Sequence, residues 1–161
     1  NMTGGLEYNF FITPKLFALG TGLAEKDQFQ NLTLRTTLSG GFGYQFLETG
    51  RAKVATEAAV GYVNEHFVDL SPTITPTSRV ALRWEYGLVP DRLVLWQRTE
   101  GYYDLGGGNA FRVRSDQGLR ITIYKNLFFN LEEDFRYNSQ PAPGRKSADS
   151  AVIFGVGYAL D

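Results

Sequence analysis

Three observations predict an all-β chain. Side-chain character alternates every two residues in nearly every segment, and the connections between segments alternate between tight and long. Eighteen glycines and 14% aromatic residues, with few helix signals, complete the set. The architecture they predict is an antiparallel up-and-down transmembrane β-barrel. Nine strands can be read in this chain, and about ten to twelve are expected when it is complete. The alternation is clearest over residues 78–88. Val80, Leu82, Trp84, Tyr86 and Leu88 share one parity, and Arg79, Ala81, Arg83, Glu85 and Gly87 share the other. Successive strand side chains point to opposite faces, so one face is apolar and the other carries guanidinium and carboxylate groups. A soluble sandwich buries its apolar face against a second sheet, whereas a membrane barrel turns it to lipid.

Taken in order, the first strand is read over about 4–12, where Leu6, Tyr8 and Phe10 alternate with Gly5, Glu7 and Asn9, and it ends at Thr13-Pro14. The second covers 15–23 and leads into a longer segment, 24–30. Strands three and four, 31–47 and 52–67, flank the tight turn 48–51. Both exceed the roughly 9–11 residues that a tilted strand needs to cross hydrocarbon, so this hairpin is expected to project beyond a bilayer. After a long connection, 68–77, come 78–88, the turn 89–92 and 93–104. The loop 105–110 leads to 111–124, the turn Lys125-Asn126 to 127–138, and the loop 139–146 to 147–160. Every second connection lies at the same end of an up-and-down sheet, so one end has only tight turns and the other only long loops. Short periplasmic turns with longer extracellular loops mark outer-membrane barrels. Nine strands would leave the two termini on opposite sides of the membrane. Such barrels have an even strand count, so one or three N-terminal strands are expected to be missing or supplied by another chain. Strand 4–12 is accordingly not expected to close against 147–160 using this chain alone.

Composition agrees with this reading. The 161 residues suit a single domain, 1–161, read as a barrel lacking N-terminal strands. A net charge of −1 leaves no basic footprint for nucleic acid. The absence of cysteine excludes disulfides and thiolate metal sites, and it suits a periplasmic or outer-membrane location. No apolar run approaches the roughly 18 residues of a membrane helix. The chain begins at Asn1 with neither Met nor a signal peptide, so it is expected to be processed or part of something longer. No cofactor is implied.

The apolar face is expected to meet lipid at Val80, Leu82, Leu119, Ile121, Val152 and Phe154. Aromatic girdles are expected near the strand ends. Phe17, Tyr44, Phe46, Tyr86, Phe129 and Tyr158 lie toward the tight turns; Tyr62, Phe67, Tyr103, Phe111, Phe135 and Tyr137 lie toward the long loops. The opposite parity collects nine cations and eight anions, among them Glu7, Arg35, Lys53, Arg79, Arg112 and Asp149. Its centre is Glu57, Arg83, Glu85, Arg98, Glu100, Arg114, Asp116, Arg120, Glu132, Asp134 and Arg136. Enclosed charges persist only when paired, so a lumen laced by cross-strand ion pairs is expected. Glu133 falls on the apolar parity between Leu131 and Phe135, which implies an interfacial position or a bulge.

Four stretches carry a resemblance: Gly41-Phe-Gly-Tyr44 leading into a turn, Gly61-Tyr-Val-Asn-Glu65, Asn138-Ser-Gln-Pro141 followed by Asp149, and the closing Phe154-Gly-Val-Gly-Tyr158. In these the chain, from about Leu32 onward, resembles the salt-induced outer-membrane protein family, a bacterial family of undefined function. The resemblance implies an outer-membrane β-barrel, no established reaction, and members longer at the N-terminus. The end of the chain also resembles the signal read by the outer-membrane assembly machinery, with Gly155, Tyr158 and Leu160 in the marked positions. Leu160 stands where Phe is usual, and Asp161 follows it.

Other constellations have plainer explanations. His66, the only histidine, could serve a lipid hydrolase beside Ser71 or Ser78 with Asn64 or Asp69, but it sits where a strand meets a loop. Gly106-Gly-Gly-Asn109 precedes no helix and lacks a following Lys-Ser/Thr, so it reads as an outer loop and not a phosphate cradle. Asp104 and Asn109 lack calcium-loop spacing. A hydrolytic carboxylate pair from Glu132, Asp134 and Glu100 would have Arg98, Arg120 and Arg136 as neutralising neighbours. Trp84 and Trp96 could stack on sugars but fit interfacial anchors better. Gly20, Gly22, Gly40, Gly41, Gly43, Gly155 and Gly157 could line a ligand path, though close packing explains them more simply. The role expected is structural, anchoring or assembly in the envelope, with a narrow pore and a lipid hydrolase as rivals. The expected partners are outer-membrane lipid, the assembly machinery and other envelope proteins.

Overall fold

The computed structural model describes residues 2–27, 32–67, 73–90, 92–124, 126–141 and 146–158. Among these, every regular element is a strand: β1 (Met2–Phe11), β2 (Leu16–Asp27), β3 (Leu32–Glu48), β4 (Ala52–Phe67), β5 (Thr73–Val89), β6 (Leu93–Asp104), β7 (Phe111–Tyr124), β8 (Leu127–Asn138) and β9 (Ala148–Tyr158). They form one antiparallel, up-and-down sheet in the order of the sequence. The order ends at β1 on one side and β9 on the other, each with a single neighbouring strand. The all-β, nine-strand expectation holds, and β4, β6, β7 and β8 keep their expected bounds.

Two strands run into segments read as loops. β2 continues to Asp27 because β1 begins at Met2 and supplies partners, Met2 opposite Lys26 and Thr3 opposite Glu25. On its other side β2 reaches Glu25 opposite Arg35, then slips in register before Asp27 meets Leu32. β5 begins at Thr73, where β-branched Thr73, Ile74, Thr75 and Thr77 favour a strand. Pro76 within it has no N–H to offer, but its carbonyl accepts the Leu105 amide at 2.8 Å.

Two of the tight turns share one device. Thr13 Oγ1 accepts the Leu16 amide at 2.9 Å, and Thr49 Oγ1 accepts the Ala52 amide at 2.9 Å. In each turn the threonine amide donates back across it, Thr13 N to Leu16 O at 3.0 Å and Thr49 N to Ala52 O at 2.8 Å. Hydroxyls in this geometry mimic a backbone turn and fix hairpin register.

Contacts within the sheet gather into two compact units. The first comprises Asn1–Tyr44, Glu57–Val80 and Tyr102–Asn109; the second comprises Gln45–Thr56, Ala81–Gly101 and Ala110–Asp161. In the first, Phe17, Leu19 and Ala59 form a small buried cluster, and the Phe17 ring fills the space above Gly43. In the second, the Trp96 indole covers Gly118 and the Phe128 ring covers Gly157. These rings all lie on the charged parity. Two expectations are thereby corrected. Phe17 is buried and belongs to no girdle, and Trp96 packs over a glycine and is not an interfacial anchor. In both cases the glycine opposite leaves a ring-sized gap, which the aromatic side chain fills from the neighbouring strand.

Gly61 tests how closely β3 and β4 approach. A Cβ there would overlap the Leu38 carbonyl oxygen and lie 2.7 Å from Ser39 Cα, whereas a Cβ on Gly20 would meet nothing within 4 Å. Gly61→Ala is expected to destabilise the fold by about 1–3 kcal/mol through backbone displacement. Gly20→Ala is expected to be neutral or stabilising by up to about 1 kcal/mol. Denaturant unfolding of the two variants side by side checks this.

Candidate functional site

The alternation in the strands produces two chemically distinct faces. On the charged parity the most enclosed feature is the pair joining β4 and β5. Arg79 Nη1 lies 2.8 Å from Glu57 Oε2, and their side chains retain only 5% and 1% of their exposure. Arg79 shares the expected parity, but its role as Glu57's partner could not be read without the register of β4 against β5. Glu100 is also buried, and Arg98 Nη2 approaches its Oε1 at 2.7 Å.

The β7–β8 hairpin places like charges opposite each other. Arg114 faces Arg136, and Asp116 faces Asp134. Directly opposed like charges destabilise a sheet, so neutralisation has to come from elsewhere. It comes along each strand. Arg114 Nε lies 3.1 Å from Asp116 Oδ2, and Arg136 grips Asp134 with Nη2 to Oδ2 at 2.7 Å and Nε to Oδ1 at 3.1 Å. The pairs Arg98–Glu100, Arg114–Asp116 and Arg136–Asp134 are thus separated by two residues within one strand, while Arg114 also acts electrostatically on Asp134 across the hairpin.

The remaining charged positions are more individual. Arg120 sits over the Phe128 ring at 5.4 Å from its centroid. Glu132 accepts from Asn130 Nδ2 at 3.3 Å, Arg83 is half-buried, and Glu85 is exposed. The carboxylates considered for hydrolysis are therefore engaged, Asp134 and Glu100 by arginine and Glu132 by an amide. Gly106 N donates to Asp104 Oδ1 at 2.6 Å, so the amide a phosphate would need already serves a carboxylate. Asn109 accepts from Tyr103 Oη at 3.0 Å and takes a positive φ of 50°, closing the same loop. His66 is half-buried at the end of β4 and Ser78 lies within β5, while Asp69 and Ser71 fall outside the described residues. Among the described residues no three His, Cys, Asp or Glu side chains gather as for a metal ion.

The opposite face is apolar and open. Leu6 is 85% exposed, Val80 61% and Phe154 68%; Leu82 and Val152 are also exposed, and Leu119 and Ile121 are half-buried. Tyr44, Phe46, Tyr86, Tyr158, Tyr62, Tyr103 and Phe111 of the expected girdles are exposed as well. Gly155 is half-buried, and Leu160 lies outside the described residues. In the first unit a shallow cavity of about 990 Å³ is lined by apolar residues including Leu6, Tyr8, Leu38, Val60 and Tyr62 around Gly20 and Gly40.

A polar cluster interrupts the apolar face of β5–β8, visible in the sequence only at Glu133. Trp84 Nε1 donates to Gln97 Oε1 at 2.8 Å. The amide of Gln97 donates to Thr99 Oγ1 at 3.1 Å and to Ser115 Oγ at 3.3 Å, and those hydroxyls lie 2.9 Å apart. One step along, Gln117 Nε2 donates to Glu133 Oε2 at 2.9 Å. The parity of Gln97, Thr99, Ser115 and Gln117 was the signal that could have located this cluster.

A family model described as "Protein of unknown function, DUF481" matches residues 1–160. The chain belongs to the DUF481 family. The match takes in β1 and β2, ahead of Leu32 where the motifs quoted above begin. No curated protein matches this DUF481 chain.

The buried pair gives a direct stability test. Glu57→Leu or Arg79→Leu alone strands a buried charge and is expected to cost about 3–5 kcal/mol. The double replacement is expected to cost less than the sum of the two, measured as a double-mutant cycle in denaturant.

Proposed function

We propose that this chain is the β-barrel of a bacterial outer-membrane protein with a structural, anchoring or assembly role in the envelope, and that it catalyses no reaction. The carrying observation is the exposed apolar parity. Leu6, Tyr8, Phe10, Phe42, Val60, Val80, Val152, Phe154 and Val156 are all open on a sheet whose other parity bears ion pairs. A sheet in water would hide such a surface, whereas a barrel in lipid requires it. The resemblance to the salt-induced outer-membrane protein family points the same way. On this reading Gly155, Tyr158 and Leu160 are read by the assembly machinery. The engaged state of the arginines and carboxylates favours a scaffold over a conducting path, since a selective pore uses an unbalanced ring of one sign. The edges of β1 and β9 are met by further strands of the same protein or of a neighbour.

Fractionation tests the placement. The full-length protein is expected in the outer membrane and to require detergent for extraction; recovery as a water-soluble particle overturns the reading. Leu82→Arg, in the middle of β5, is expected to cost roughly 2–4 kcal/mol when unfolding is measured in lipid vesicles. Planar-bilayer recordings are expected to show no large steady conductance, and its appearance would favour the narrow pore.

A further inference from the structure

The polar cluster on the apolar face divides into a closed part and an open part. Trp84, Gln97, Thr99 and Ser115 satisfy one another: the Gln97 carbonyl accepts the indole N–H, and its amide donates to both hydroxyls. Such a network tolerates an apolar surround because its donors and acceptors are engaged. Gln117 and Glu133 differ. One amide N–H meets one carboxylate oxygen, and among the described residues Gln117 Oε1 and Glu133 Oε1 have no hydrogen-bond partner. Gln117 is exposed and Glu133 half-buried, in the middle of β7 and β8. Their row continues into exposed Val152 on β9. The next row toward the tight turns is Leu119, Leu131 and Phe154.

A surplus donor and a surplus carboxylate oxygen, side by side and bordered by Val152 and by the row Leu119, Leu131 and Phe154, are complementary to themselves. A two-fold axis beside them would let the second amide N–H of each Gln117 reach Glu133 Oε1 of the other copy, so that two equivalent hydrogen bonds form at once. We propose that this patch is the contact between two copies of the chain within the membrane, with Gln117 and Glu133 at its centre and Val152 and Phe154 on its rim. The inference rests on the membrane reading proposed above. Polar groups facing each other in hydrocarbon act as adhesive between membrane segments, because separation would leave them to lipid.

The test is the monomer–dimer equilibrium of the full-length protein in density-matched detergent micelles, followed by sedimentation. Wild type is expected to dimerise, and Gln117→Leu/Glu133→Leu is expected to raise the dissociation constant roughly tenfold or more. That variant keeps the face apolar, and an unchanged far-UV circular dichroism spectrum establishes that it is folded. Thr99→Val, which alters only the closed network, is expected to leave the dissociation constant unchanged. As a second measurement, Val152→Cys adds a thiol to a cysteine-free stretch. Treated in native membranes with a thiol-reactive crosslinker of about 15 Å reach, it is expected to give a covalent pair of this chain, whereas Val80→Cys is not. A monomeric wild type, a dimer indifferent to the double replacement, or a Val152→Cys adduct with a different protein would each overturn the proposal while the membrane reading stood. A protein that stays dispersed without detergent would overturn that reading, and the proposal with it.

Discussion

The two-residue period of the strands carries the whole arrangement, because it ties every charge to one face only while register is kept. A slip by a single residue in β5 would turn Arg79 and Arg83 onto the apolar face and bring Val80 and Leu82 among the ion pairs. Several local devices oppose such a slip. The hydroxyls of Thr13 and Thr49 fix the turns that start β2 and β4. The rings of Phe17, Trp96 and Phe128 each occupy the space left by a glycine on a neighbouring strand. Moving any of those strands by one position would set a side chain where the glycine stands and leave the ring no room. The aromatic residues on the charged face therefore act as register pins, with the burial of their apolar surface as the energetic reward.

Neutralisation on that face follows from register. Since β7 and β8 bring Arg114 opposite Arg136 and Asp116 opposite Asp134, each arginine pairs with the carboxylate two residues along its own strand, and Arg114 also attracts Asp134 on the diagonal. Each strand keeps a surplus of its own, cationic in β7 (Arg112, Arg114 and Arg120 against Asp116) and anionic in β8 (Glu132, Glu133 and Asp134 against Arg136), so the two strands attract each other as wholes. Exposure of the arginines in these pairs also limits what they contribute, since partly solvated ion pairs give on the order of 0–1 kcal/mol. Arg79 and Glu57 are a different case. They are enclosed and contributed by two strands, so neither is tolerable without the other, and their value lies more in fixing β4 against β5 than in net stabilisation.

Much of this was legible in the sequence. The faces could be read from parity alone, and β4, β6, β7 and β8 were found to the residue. Most other boundaries shifted by one or two residues, and the two large shifts, at the end of β2 and the start of β5, lie where polar or proline-bearing sequence is held in a strand by its neighbours, an influence absent from local propensity. The charged set was visible, but its pairings were not, because a partner two residues along a strand and one across the sheet look alike until register is known. Phe17 and Trp96 carried the parity of the charged face; their nearness to strand ends drew the reading toward girdles. Gln117 was missed for a related reason. A neutral amide raises no alarm on an apolar face until the carboxylate of Glu133 is found beside it.

The two edges of the sheet show one further constraint. Sheets that stay monomeric in water blunt their edges with lysine, proline, bulges or short strands. β1 and β9 carry neither lysine nor proline, and their ladders with β2 and β8 run without a break in register. Such edges are suited to further pairing, and in hydrocarbon each unpaired backbone group would cost several kcal/mol. On the membrane reading, a strand that meets β1 cannot be of arbitrary sequence. Beside Leu6, Tyr8 and Phe10 it has to present apolar side chains, and beside Glu7 and Asn9 polar ones. At β9 the corresponding strand has to set apolar groups beside Val152, Phe154 and Val156. The period that organises this chain would thereby be imposed on any strand that paired with its edges.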